Sequence, residues 1–130
     1  MHALSSYDYA IIRVVPNVER GECINVGALL FSRTQRFLKV RIHLDQARVL
    51  ALAPDLDLVA IQQELDDIVH ICEGGPEAGS LGQMSQSERF HWLVSPRSTI
   101  IQTSQVHTGL CTDLEGTLEH LLKTMVYPLR

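Results

Sequence analysis

The clearest pattern along the chain is a strict alternation from Arg36 to Leu44. Leu38, Val40, Ile42 and Leu44 fall on one side and Phe37, Lys39, Arg41 and His43 on the other. Period two marks a strand with one buried and one wet face. Two earlier segments share the composition of strands without the strict alternation. Tyr7 to Val15 is rich in aromatic and β-branched residues and is stopped by Pro16. Ile24 to Phe31 is apolar almost throughout and carries Gly27 in its interior, which signals a bulge or the close approach of another backbone. The short connections between these three favour an antiparallel meander.

The pattern then changes to helical spacing. Asp45 to Ala53 reads as a short helix stopped by Pro54. Asp55 or Asp57 then caps a longer helix whose apolar stripe is Leu58, Ile61, Leu65, Ile68 and Cys72, ending at Gly74-Gly75. Glu73 to Ser87, with its glycines, reads as a long loop. Ser85-x-x-Glu88 is a capping-box pattern opening a short helix through Trp92. Thr99 to Val106 reads as a fourth strand. Thr112-x-x-Glu115 is a second capping box, opening a last helix with Leu114, Leu118, Leu121, Leu122 and Met125 on its buried side, stopped at Pro128. The order βββ–helices–β–helix predicts one α+β domain over residues 1–130. Its mostly antiparallel sheet has about four strands, with helices packed mainly on one face. An exposed first or third strand would offer an edge for pairing into a homodimer.

Composition narrows the class. The 130 residues are 45% hydrophobic and 20% charged, with a net charge of −4, which suits a folded domain and not a disordered one. No apolar run is long enough to span a bilayer, and the first residues lack the basic and apolar regions of a secretory signal, so a cytoplasmic location is expected. Cys23, Cys72 and Cys111 are odd in number and far apart, which argues for reduced thiols and against a zinc knuckle. His70-x-Cys72 does not share a helical face and His43-x-Asp45 lacks further ligands, so no metal or cofactor is expected. Charge is unevenly spread: Val49 to Glu88 holds eight of the fifteen acidic residues and no Lys or Arg. Such a segment is either a solvated acidic helix face or a docking face for a basic partner.

Common catalytic signatures are missing: no phosphate-binding glycine loop, no HExxH, no GxSxG and no CxxC. Two diffuse constellations remain. Arg20, Asn25 and Gly27 place an amide beside a strand glycine, where a ligand finds room; the same residues also suit a loop cap and a bulge. Arg89, Trp92, Arg97, Ser98, Thr99, Gln102, His107 and Gly109 combine a guanidinium fork, hydroxyls and a histidine able to carry a proton. These are the ingredients of a phosphate or carboxylate site, and equally of turns and strand ends. A third arrangement, Lys39, Arg41 and His43 beside Tyr9 and Arg13, would make an RNA-stacking sheet face if all were exposed together; net acidity and scarce aromatics weigh against a nucleic-acid partner.

Tyr7-Asp8-Tyr9, Glu19-Arg20-Gly21-Glu22, Asn25-Val26-Gly27, Arg89-Phe90-x-Trp92-Leu93, Pro96 to Gln102 and Val106-His107-x-Gly109 together resemble the bacterial DUF3037 family, from Tyr7 to about Val126. Cys23 stands where that family is expected to carry phenylalanine. The resemblance implies a bacterial cytoplasmic protein, and one encoded beside a HipA-like kinase. The leading expectation is therefore a non-enzymatic interaction or regulatory domain that binds a protein partner, with a HipA-like kinase as candidate. The alternative is an enzyme or binder of a phosphorylated small molecule or nucleotide, with Arg20, Asn25, Arg97, Ser98, Thr99 and His107 converging on one pocket.

Overall fold

The computed structural model describes residues 3–97 and 99–129. Its centre is the antiparallel pair β1 (Ser5–Val14) and β2 (Ile24–Ser32). In β2 every residue from Val26 to Ser32 is buried, the signature of a strand covered on both faces. On one face Ile12, Val14, Val26, Leu29 and Phe31 join the larger core; on the other Ile11, Ala28 and Leu30 join a smaller one. The sheet runs β3 (Phe37–Ile42)–β2–β1, with β4 (Ile101–Thr103) and β5 (His107–Cys111) both pairing with β1 on its far side. All pairings are antiparallel. β3 is thus an edge, as one of the two expected edges, whereas β1 is central.

Gly27 serves both purposes its position suggests. Ile12 stands opposite Gly27 but Arg13 stands opposite Asn25, so Val26 is an extra residue and the ladder is bulged. A Cβ on Gly27 would lie 2.7 Å from the Arg41 carbonyl oxygen and 2.8 Å from Ile42 Cδ1. Only a residue without a side chain lets β3 close on β2 at that point.

The expected fourth strand is two strands. Thr103 pairs with Ile12 and His107 with Tyr9, which leaves three residues on one side against two on the other. Ser104 bridges the misfit: its backbone amide donates to the Ile11 carbonyl and its Oγ accepts from the Ile11 amide, both at 2.8 Å. A side-chain oxygen replaces a main-chain carbonyl in the ladder, and the pairing resumes through Cys111, beyond the expected end at Val106.

Three helices cover the larger core. α1 (Gln46–Leu52) is capped by Asp45, α2 (Leu58–Glu73) by Asp57, and α3 (Gln86–Leu93) by the full Ser85–Glu88 capping box. Ile61, Leu65, Ile68 and Cys72 are buried as the stripe requires. The segment read as a long loop contains a 3-10 stretch, Pro76–Gln83, kinked at Gly79. α4 (Leu114–Leu121) lies on the opposite face; its cap is Asp113, which accepts from the Gly116 amide, in place of the expected Thr112. A π turn, Leu122–Val126, follows, and Tyr127 donates its amide to the Leu122 carbonyl. The wider turn advances the helical face by one residue, so Val126 is buried and Met125, expected inside, is 43% exposed.

Gly27→Ala forces a methyl group against a main-chain oxygen that the sheet holds in place. We expect a loss of about 1–3 kcal/mol, read as a lower urea midpoint.

Candidate functional site

The sequence constellations separate in the fold. Asn25 Nδ2 donates to the Met125 carbonyl at 2.8 Å, and Arg48 Nη1 reaches the Val126 carbonyl at 3.3 Å. Both satisfy carbonyls that the end of a helix leaves free, so Asn25 anchors the C-terminal helix to β2. Arg13, opposite Asn25 in the ladder, has a buried Nε without a hydrogen-bond partner. Arg20 is elsewhere: it is exposed, pairs with Glu22, and lines a cleft of about 340 Å³ with Pro16, Asn17 and the Leu52–Leu56 connection. Arg20, Asn25 and Gly27 therefore do not share one ligand site.

Arg89 is buried and committed to the scaffold. Its Nη1 donates to the carbonyls of Ile71 (2.9 Å) and Cys72 (2.7 Å), and its Nε to that of Met84 (3.1 Å). The guanidinium closes the C-terminal end of α2, where a cation is also favoured by the helix dipole. Gly74 makes room for it, since a Cβ there would sit 2.8 Å from Nη1. Burial pushes the neighbouring Cys72 thiol up to about 12; the Arg89 charge opposes this shift and Glu73 adds to it. A thiol so placed is a core group and not a nucleophile.

Arg97 lies over Trp92, its guanidinium carbon 4.0 Å from the ring centroid, and Nη2 donates to the Trp92 carbonyl at 2.6 Å. Thr99 Oγ1 donates to the Ile101 carbonyl and Gln102 Nε2 to that of Thr99, so both hold the loop into β4. Ser98 lies outside the described residues. His107 stacks on Tyr9 at 5.2 Å, and Gly109 leaves room for the Tyr7 ring, whose oxygen would be 2.5 Å from a Cβ there. Arg97 shares a cleft with α2, on the side of the larger core; His107 lies with Tyr9, which packs against the smaller core. The expected convergence of Arg97, His107 and Asn25 on one pocket is thus not found: the sheet separates Arg97 from His107, and Asn25 is engaged with the last helix.

The open, RNA-stacking sheet face is also not present. α4 lies over that side: Lys39 pairs with Glu115, and Arg41 Nη1 meets Glu119 Oε2 at 2.8 Å. Tyr9 is packed against the smaller core and Arg13 is partly buried. The polar face of β3 keeps exposed charges, but they are held by a helix.

What stays available is the outer side of α2. Val59, Gln63, Glu64, Asp66 and Asp67 are exposed along it, and among the described residues none of these acids has a Lys or Arg within ion-pair distance. Glu64 and Asp67 border a cleft of about 150 Å³ that Trp92, Arg97 and Thr99 close from the other side, over a floor of Ile68, Ile71 and Ile101. A carboxylate rim of this kind attracts cationic groups by charge. A family model for a protein of unknown function, DUF3037, matches residues 9–126. The chain belongs to the DUF3037 family. No curated protein and no solved structure matches it. Five of the residues that carried the resemblance hold the DUF3037 scaffold together: Tyr7 over Gly109, Gly27 in the bulge, Asn25 on the last helix and Arg89 under α2. None of the described helices is long and apolar enough to cross a membrane. Sequence reasoning passed over Ser104, whose importance comes from strand pairing alone; a lone serine in a polar Thr-Ser-Gln stretch carries no local sign of its role.

Two outcomes follow for this scaffold. Arg89→Gln strands the two buried carbonyls of Ile71 and Cys72 and lowers stability by about 2–3 kcal/mol, seen in the urea midpoint; a residue kept only for ligand binding would leave the midpoint in place. The Cys72 thiol ionises near 9.0 when unfolded and near 12 when folded. Its contribution is therefore whole below the lower value and is lost as pH rises between the two. Stability measured against pH will fall less steeply across that window in Cys72→Ala than in the parent chain.

Proposed function

We propose that this domain is an interaction module that docks a basic surface of a protein partner onto the exposed side of α2. The observation that carries this reading is the run of exposed carboxylates, Glu64, Asp66 and Asp67, none with a Lys or Arg within ion-pair distance among the described residues, beside Trp92. A solvated helix face is usually laced with opposite charges at helical spacing, which lowers its repulsion; α2 has none. The rim also fits a macromolecular partner better than a small substrate, since the cleft beside it is small. Asn25, Arg89, Arg97, Thr99, Gln102 and His107 are taken up by main-chain carbonyls and aromatic rings, which further favours a non-enzymatic role. The family resemblance supplies the candidate partner, a HipA-like kinase of the kind often encoded beside such proteins.

The test is co-expression of the tagged chain with that kinase, followed by a binding titration in low salt. A complex of micromolar strength is expected. Glu64→Lys, Asp66→Lys and Asp67→Lys combined should weaken it about tenfold or more, and added salt should act in the same direction because these charges are exposed. Absence of a complex, or one indifferent to charge reversal on α2, refutes the assignment.

A further inference from the structure

The turn between β2 and β3 and the first turn of α3 face each other across a cleft of about 550 Å³, lined by Phe31, Arg33, Arg36, Ser85, Gln86 and Ser87. Two observations set it apart. Four cations stand along this hairpin, and Lys39 and Arg41 are neutralised by α4, whereas Arg33 and Arg36 have no carboxylate within ion-pair distance among the described residues. Both free guanidinium groups border the same concavity. The turn itself brings them there: the Arg36 amide donates to the Arg33 carbonyl at 3.2 Å, and Arg36 takes a left-handed backbone, φ 50°.

The opposite wall is polar and the floor is not. Glu88, in the first turn of the same helix, is turned back onto Ser85, accepting from its amide at 3.3 Å and its hydroxyl at 3.0 Å, and it does not line the cleft. Ser87 Oγ has only a long contact, 3.5 Å, with His91 Nδ1 and is free to donate. Beneath, Phe31 is backed by Phe90, the rings stacked at 5.0 Å.

We propose that this cleft binds the phosphoryl group of a small phosphorylated ligand, with Arg33 and Arg36 as the cations that hold it. Two guanidinium forks and a hydroxyl offer more donors than the two oxygens of a carboxylate accept; the three terminal oxygens of a phosphoryl group match them better. The cleft is larger than the anion alone and has an apolar floor, so it accommodates a ring or chain attached to it. This site lies apart from the α2 docking side and stands or falls separately from it.

The experiment titrates the full chain with phenyl phosphate, and with benzoate as the carboxylate of the same ring, in low salt by calorimetry or amide chemical shifts. Saturable binding of phenyl phosphate is expected, with benzoate at least about tenfold weaker. Arg33→Gln with Arg36→Asn removes both charges, and asparagine tolerates the left-handed backbone; this variant should weaken phenyl phosphate about tenfold or more at unchanged circular dichroism. Should the double variant fold poorly, Arg33→Gln alone, at an exposed position, should still weaken binding about threefold. Lys123→Gln, an exposed cation outside the cleft, should change nothing. No saturable binding up to about 10 mM, equal binding of benzoate, or full binding by the arginine variants would each overturn the proposal.

Discussion

The fold depends on the burial of the β1–β2 ladder from both sides. Few sheets of this size can hide an apolar run on two faces without helices above and below. Here the run is continuous from Val26 to Phe31, and neither layer of helices is optional. Each fully buried Leu or Ile in such a position contributes roughly 1.5–3 kcal/mol. Removing either cover would return several of them to water at once.

Polar groups then decide how the covers are held. Arg89 fixes the end of α2, Asn25 and Arg48 fix the end of the last helix, and Ser104 keeps β1 paired across an irregular stretch. Each donates to or accepts from main chain far away in sequence. Such bonds are modest in net value when made and costly when missing, which explains how a small domain can commit Arg89 and Ser104 to buried positions.

Much of the architecture was legible in the sequence because its signals are local. The alternation of β3, the stripe of α2, the Ser85–Glu88 box and the glycine in β2 each report on their own neighbourhood. The division of the fourth strand was hidden, since a mismatch between two distant strands leaves no mark on either. Met125 and Val126 exchanged places for a similar reason: a π turn changes the helical period without changing composition. The candidate site was the least legible. Arg97 and His107 are ten residues apart, yet they lie on opposite sides of the sheet; Arg33 and the serines of α3 are far apart in sequence, yet they border one cleft. Proximity along the chain and proximity in space part company wherever an edge strand turns back.

The layer that covers Ile11, Ala28 and Leu30 comes from the far end of the sequence, residues 114–126. A ribosome therefore releases the central strands and the helices of the first layer long before the second layer exists. For that interval one side of the sheet is a greasy surface without a lid, and the nascent chain has the exposed character of an incomplete fold. Completion is marked by the arrival of one short helix, whose docking is checked by two side chains already waiting on the sheet and on α1.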